Sequence, residues 1–95
     1  MAYEFEWDDA KAEANYRKHG VDFETATEAF ADAFCLDDED ASMAYGEQRF
    51  RLIGRADAGL LFVMYTERKS VVRIISARQA TRHEHDRYYR ENSQG

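Results

Sequence analysis

The arginines in the second half of the chain are the side chains whose spacing points most directly to chemistry. Arg49, Arg51 and Arg55 alternate with apolar residues such as Phe50 and Leu52. Alternate side chains of a strand point to opposite sides, so these arginines share one face and the apolar residues the other. A guanidinium group binds two phosphate oxygens through parallel hydrogen bonds. The pattern therefore predicts a phosphate-binding surface on a sheet.

More arginines lie in the last predicted strand and directly after it. Arg73 alternates with Val72 and Ile74, while Arg78 and Arg82 follow at the strand end and in the first turn of the next helix. We expect Arg78 and Arg82 to be near neighbours. The alternative for each arginine is an ion pair with one of the many carboxylates of the first half.

Lys18 and His19 form the one candidate pair for proton transfer outside the arginine-rich strands. A histidine near its ordinary pKa acts as acid or base at neutral pH. The alternative is structural, because cations favour the carbonyl end of a helix and Gly20 can close that helix in the left-handed conformation. Spacing alone leaves both roles open.

Other residue types argue against a metal or a nucleotide cofactor. His83 and His85 are two residues apart, whereas a metal pair on a helix needs a separation of four. The acidic segment 37–47 has no glycine at the sharp-turn position of a calcium loop and no glutamate that closes a 12-residue frame. Cys35 is the only cysteine, and neither a phosphate-cradling glycine loop nor a serine elbow occurs. We therefore expect no cofactor and no metal.

Charge is distributed unevenly along the chain, whose net charge is −6. Residues 1–48 carry three basic and fourteen acidic residues, a net charge of −11, whereas residues 49–95 carry ten basic and five acidic, a net charge of +5. This asymmetry predicts a polyanion-binding face with an acidic back, or acidic segments that bind a basic partner. Ordinary solvated surface is the remaining interpretation.

Hydrophobic periodicity predicts the elements that must position these groups. The predicted elements are a strand at 3–7, helices from Asp8 or Asp9 to about Lys18 and from Asp22 through Phe30, an apolar piece at 33–36, an exposed loop at 37–47, strands at 49–55, 60–67 and 71–77, and a helix from Thr81 to about Asn92. Ala10, Ala14 and Arg17 share one stripe of the first helix. Thr81 and Glu84 have the spacing of a capping box.

These elements predict one α+β domain spanning residues 1–95. Its order is βααβββα, with a possible short strand before the last three strands. Two N-terminal helices would cover one face of an antiparallel sheet of about four strands, leaving the arginines on an open face. The tail from about residue 92 is expected to be disordered. No membrane helix or signal peptide is evident, so a cytoplasmic location is the default.

Two signatures in this chain resemble those of one known family. The first is Trp7-Asp8 with Lys11-x-x-x-Asn15-x-x-Lys18-His19-Gly20, within the segment from Phe5 to Phe23. The second is Arg73-Ile74-Ile75-Ser76-Ala77-Arg78, continuing to Arg82. Together they resemble the BrnT family of type II toxins, over nearly the whole chain.

The resemblance implies a RelE-like fold, metal-independent RNA cleavage that halts translation, and neutralisation by a basic, DNA-binding antitoxin similar to BrnA. It implies attack of a ribose 2′-hydroxyl on the adjacent phosphate, which requires a base, an acid and cations. Lys18 or His19 would transfer protons, and Arg78 and Arg82 would stabilise the phosphate. The expected RNA-binding residues are Arg55, Tyr65, Arg73, Ser76 and Tyr89.

Three functions remain in competition at this point. The first is the ribonuclease toxin, which is expected to bind its antitoxin as a homodimer or a heterotetramer. The second is a catalytically silent module of the same fold that binds the antitoxin in a repressor complex. The third is a solitary structural or small-ligand domain, which a basic DNA-binding protein encoded next to this one would disfavour.

Overall fold

The computed structural model describes residues 3–40 and 46–93 and contains three helices and five strands in that part of the chain. In chain order these elements are β1 (Glu4–Glu6), α1 (Asp9–His19), α2 (Phe23–Ala29), β2 (Leu36–Asp40), β3 (Arg49–Ala56), β4 (Gly59–Arg68), β5 (Val71–Gln79) and α3 (Arg82–Asn92). The α+β class is confirmed. None of these helices is long and apolar enough to cross a membrane.

The sheet differs from the predicted one in strand number and direction. Its order is β1-β5-β4-β3-β2, and β1 pairs with β5 in parallel while the other pairs are antiparallel. The sheet is therefore mixed and five-stranded, rather than antiparallel with about four strands. β1 and β5 are far apart in sequence, since two helices and three strands lie between them. The chain returns beside β1 in the same direction, so the two strands are parallel.

The additional strand, β2, lies in the acidic segment that was predicted to be a loop. Asp38 and Asp40 are register partners of Arg51 and Arg49 on β3. Opposite charges on neighbouring strands stabilise their pairing by about 0.2–1 kcal/mol per pair. The loop prediction was therefore wrong for 37–40, because cross-strand charge pairing compensates for the low strand propensity of aspartate. Residues 41–45 of that predicted loop lie outside the described residues.

The helix ends follow the predicted capping chemistry. The Asp8 carboxylate accepts a hydrogen bond from the Lys11 amide at 3.0 Å, and Gly20 closes α1 with a φ of 73°. The Asp22 carboxylate accepts from the Thr25 amide at 2.6 Å. The capping box at Thr81 is present in full. These contacts fix where α1 ends and where α3 begins, next to the candidate site residues.

Helices lie on both faces of the sheet. The larger core joins α2 to one face, while a smaller core of Ile53, Leu60 and Tyr88 joins α3 to the other. The buried residues of the larger core are Val21, Phe23, Ala26, Ala29, Phe30, Leu52, Leu61, Val63, Tyr65, Val72, Ile74 and Ala77. The arginine-bearing face was predicted to be open. It is not fully open, because α3 crosses it and forms a groove.

Asn15 attaches α1 to the edge of the sheet. Its side-chain amide donates to the carbonyls of Ala77 at 2.8 Å and Val21 at 3.0 Å, and its oxygen accepts from the Ala77 amide at 3.2 Å. β1 pairs only with Val71–Arg73. The buried Asn15 therefore bonds both backbone groups of Ala77, as a neighbouring strand would.

Candidate functional site

A groove between α3 and the arginine-bearing face of the sheet is the best-defined cluster of chemical groups on that face. It has a volume of about 200 Å³, and we call it the α3 groove. Its lining residues are Asp38, Arg51, Ile53, Phe62, His83, Glu84 and Arg87. The groove combines an apolar floor with cations, carboxylates and a titratable imidazole.

Arg78 lies beside the α3 groove, in contact with two residues that line it, Phe62 and Glu84. Its guanidinium donates to both carboxylate oxygens of Glu84, at 2.8 and 3.0 Å, and lies 4.1 Å from the centre of the Phe62 ring. Burial disfavours the charge on Glu84, but hydrogen bonds from Arg78 and Thr81 outweigh it and lower the pKa of Glu84. Arg78 is thus held by a carboxylate, a partner that a phosphate can replace.

Two further arginines, Arg51 and Arg87, line the α3 groove. Arg87 contacts Asp38 and Glu91, each at 2.6 Å. Its hydrogen bond lowers the pKa of Asp38, and the neighbouring charge of Arg51 contributes in the same direction. Arg51 is exposed. Counting Arg78, three arginines surround a groove that contains two carboxylates.

An aromatic cleft lies at the opposite end of α3. The Arg55 guanidinium hydrogen-bonds the Tyr89 hydroxyl and lies 5.6 Å from the centre of that ring. Phe34 and Asn92 line the same cleft, which has a volume of about 240 Å³, and Phe34 is 63% exposed. The structure thus brings together Arg55 and Tyr89, two residues that sequence alone could only propose separately.

Tyr88 and Asp32 hold this end of α3 on the sheet. The Tyr88 hydroxyl donates to Asp32 at 2.6 Å, and the Arg55 amide donates to the same carboxylate at 2.8 Å. Burial opposes the charge on Asp32, but the hydrogen bonds from Tyr88, Arg55 and Phe34 outweigh it and lower its pKa. The adjacent tyrosines therefore divide their roles, since Tyr88 is buried while Tyr89 is 46% exposed.

Lys18 and His19 lie at the end of α1 and do not line the α3 groove. His19 is half-buried and four residues after Asn15, so it lies on the same side of the helix. Because α1 reaches Ala77 at Asn15, its last turn lies towards the end of β5 that carries Arg78. Within residues 3–40 and 46–93, no hydrogen bond or ion pair joins Lys18 or His19 to a candidate arginine.

Arg73 belongs to a separate basic cavity. It donates to Glu6 at 3.0 Å and lines a space of about 80 Å³ together with Lys11, Arg49 and Arg68. Glu47 lies between Arg49 and Arg68, at 3.5 and 3.1 Å. Four cations therefore converge next to the sheet at some distance along β5 from Arg78.

The remaining candidates have different surroundings. Ser76 is half-buried opposite Met64 in the register of β4 and β5, and Arg82 is exposed in the first turn of α3. Tyr65 faces the opposite way from the arginines. It is only 4% exposed, its ring stacks on Phe50, and its hydroxyl lies 2.7 Å from Asp37.

The expected RNA contact of Tyr65 therefore needs correction. Tyr65 follows Leu61 and Val63 on the core side of β4, where alternation places every second side chain. Burial and the hydrogen bond to Asp37 raise its pKa. Its hydroxyl serves the fold, and we leave Tyr65 out of the proposed site.

Sequence reasoning did not assign a site role to several residues that the structure brings together. Arg51 was placed by alternation on the predicted phosphate-binding face with Arg49 and Arg55, but it was not selected as a site residue. His83, Glu84 and Arg87 reach the α3 groove because α3 crosses the sheet, a packing that no local pattern specifies. Phe34 lies in a short segment without periodicity.

Comparison with known families identifies what this arrangement belongs to. A search of curated proteins finds no significant match. The family model described as the ribonuclease toxin, BrnT, of type II toxin–antitoxin systems matches residues 7–84, which include both sequence signatures and the α3 groove up to Glu84. Its match spans most of the chain, which confirms the resemblance. The chain therefore belongs to the BrnT family of ribonuclease toxins of type II toxin–antitoxin systems.

Proposed function

We propose that this toxin is a metal-independent endoribonuclease that cleaves RNA at the α3 groove and thereby inhibits translation in the cytoplasm. The observation that carries the proposal is the position of Arg78, which contacts Phe62 and Glu84 at the groove wall. The sheet with a helix across its second face supports the RelE-like fold that the resemblance implies.

The reaction we propose needs no group beyond the side chains of the chain. A base takes the proton of a ribose 2′-hydroxyl, and the oxygen attacks the adjacent phosphorus. The bond from phosphorus to the 5′-oxygen then breaks, and an acid protonates the leaving oxygen. The products are a 2′,3′-cyclic phosphate and a 5′-hydroxyl. Arg78 and Arg82 would stabilise the charge that develops on the phosphoryl oxygens.

Three residues compete for proton transfer. Lys18 and His19 are favoured by the family signature, whereas His83 is favoured by geometry because it lines the groove itself. Replacing each by glutamine and measuring the pH dependence of cleavage distinguishes them. The residue that transfers protons is the one whose replacement removes a limb of the pH profile.

RNA binding would extend along the sheet on both sides of the groove. Arg55 and Tyr89 would contact one nucleotide at the aromatic cleft, since bases stack on exposed aromatic rings. Arg73 would bind a backbone phosphate at the basic cavity, and Ser76 lies between Arg73 and Arg78 on β5. The partner that neutralises the toxin would be a basic antitoxin similar to BrnA, in a homodimeric or heterotetrameric complex.

The test compares Arg78→Ala with Arg90→Ala, which removes the same charge from α3 outside the groove. We expect Arg78→Ala to lower the rate of RNA cleavage by about 100-fold or more, whereas Arg90→Ala changes it by less than about threefold. Losing the Glu84 contact should also lower the free energy of unfolding by about 1 kcal/mol, which urea denaturation measures.

A silent binding module is the alternative function. Expression of the wild-type chain under a tight promoter should arrest growth and shorten cellular RNA. If soluble wild-type protein neither arrests growth nor cleaves purified RNA, the ribonuclease proposal fails and the silent module is supported.

A further inference from the structure

A long groove runs between α2 and β1, at the edge of the sheet opposite β2. Two adjoining cavities of about 820 and 470 Å³ form it, and they share Phe5 and Thr27. We call their union the α2 groove. Aromatic side chains form its floor: Tyr3, Phe5, Trp7 and Phe30.

Three of the four aromatic rings of the floor, those of Tyr3, Phe5 and Phe30, contact one another. Phe30 packs edge-on against Tyr3 and Phe5, with ring centres 5.7 and 5.1 Å apart, and Trp7 packs on Phe23 at 5.9 Å. Tyr3 is 53% exposed. Within the described residues β1 is the last strand of the sheet, so no strand lies beyond it.

The rim of the α2 groove carries one sign of charge. Asp22, Glu24, Glu28 and Asp32 line it, and neither cavity has a lysine, arginine or histidine in its lining. Glu24 and Glu28 are one helical turn apart on α2 and exposed to solvent. An apolar floor with an acidic rim complements a segment that has apolar side chains on one face and cations beside them.

We propose that the α2 groove binds a basic amphipathic segment of a partner protein, which in the proposed function is the antitoxin. RNA does not fit this groove, because its phosphates would face four carboxylates. The proposal rests on the proposed function for the identity of the partner. It places that partner on a surface separate from the α3 groove.

Trp7 makes the proposal testable, because it is the only tryptophan in the chain. The probe is an 18-residue peptide of leucine and lysine, with the leucines spaced to form one helical face. We expect the peptide to change the fluorescence of Trp7 saturably in the full-length protein. A peptide of the same composition with the leucines scattered should bind about tenfold more weakly.

Matched variants separate the groove from net charge. Glu24→Gln with Glu28→Gln should weaken peptide binding by about threefold to tenfold. Glu13→Gln with Asp86→Asn removes two negative charges outside the groove and should change it by less than about twofold. Glutamine at 28 keeps an oxygen that can accept the 2.8 Å hydrogen bond from the Asp57 amide.

Equal weakening in both double variants, or no change in Trp7 fluorescence, would overturn the proposal. Concentration-dependent dimers that Glu24→Gln with Glu28→Gln alters would also overturn it, in favour of a second copy of the chain as occupant. Tyr3→Ser offers an independent variant at an exposed position, and it should weaken peptide binding without loss of fold.

The outcome is separable from that of the ribonuclease proposal. Arg78→Ala should lose RNA cleavage and keep peptide binding. Wild-type protein that cleaves RNA but ignores the peptide would contradict this inference alone. Wild-type protein that binds the peptide but never cleaves RNA would contradict the ribonuclease proposal alone.

Discussion

The α3 groove and the α2 groove both contain carboxylates, but they use them in different ways. In the α3 groove each carboxylate meets an arginine, as Glu84 meets Arg78 and Asp38 meets Arg87. In the α2 groove the rim carboxylates Glu24 and Glu28 make no ion pair with any described residue. One surface holds its own counter-charges, and the other presents unneutralised charge over an aromatic floor.

This difference explains how an acidic chain can act on a polyanion. The net charge of −6 describes neither surface, because the sheet separates the acidic helical layer from most of the arginines. Electrostatic attraction at short range depends on the local charges, since the Debye length at physiological salt is about 8 Å. Each groove can therefore select its own class of partner.

The largest expected effect concerns Asn15, which supports both surfaces through α1. Asn15→Ala leaves the amide and carbonyl of Ala77 and the carbonyl of Val21 without their partner. We expect the free energy of unfolding to fall by about 2–4 kcal/mol, because buried unsatisfied polar groups are costly. Urea denaturation measures this, with the exposed Tyr16→Ala as control at under about 0.5 kcal/mol. A loss as small as that of the control would contradict the role of Asn15.

Reversing one charge in the α3 groove should separate the two surfaces. Arg51→Glu puts a carboxylate opposite Asp38, so we expect binding of a non-cleavable 2′-deoxy oligonucleotide to weaken by about tenfold. The logarithmic salt dependence should become shallower by about one. Peptide binding at Trp7 should stay the same. Equal effects on both ligands would mean that the two surfaces are not independent.

Removing a carboxylate from the same groove should have the opposite and smaller effect. Glu84→Gln keeps a side chain that can cap α3 but no longer neutralises Arg78. We expect oligonucleotide affinity to rise by about threefold. Fluorescence anisotropy of a labelled oligonucleotide measures this, with the exposed Asp86→Asn on the same helix as control. Unchanged or weaker binding would show that Glu84 does not compete with phosphate.

The smallest expected effect is on the acid side of the stability profile. Folding lowers the pKa of Glu84 from its ordinary value of 4.5, so the ionised carboxylate stabilises the fold. That stabilisation is complete above about pH 4.5 and is lost as pH falls through the lower folded pKa. Glu84→Gln should therefore flatten the fall in stability below pH 4.5. An unchanged slope would mean that Glu84 contributes little to acid unfolding.

Local chemistry allowed the helix ends and the arginine alternation to be predicted. Asp22, Gly20 and Thr81 cap helices through contacts with groups only a few residues away. Their sequence neighbourhood is therefore sufficient to predict the caps. The strand at Leu36–Asp40 could not be predicted this way, because its partner arginines lie outside its immediate sequence neighbourhood, on the next strand of the chain. Its stability comes from a pairing that sequence patterns do not show.

The positions of two candidate arginines were predictable, but the groove beside them was not. Arg78 lies near the end of β5 and Arg82 begins α3, as expected. His83 and Arg87 reach the groove only through the packing of α3. The first helix shows the same limit. The sequence shows a stripe with two alanines on this helix, but its buried residue is the polar Asn15, whose side chain bonds the backbone of Ala77 on β5.

The side chain of Asn15 also affects whether copies of the molecule associate with one another. An uncovered strand edge is a template for pairing with other chains, and native proteins protect such edges. The side-chain amide of Asn15 protects the edge of β5 at Ala77, beyond the point where β1 ends. A single polar residue in a helix is sufficient for this. A BrnT toxin whose Asn15 is replaced should therefore lose solubility on heating sooner than its folding stability alone would predict, because the exposed edge of β5 can recruit a second sheet.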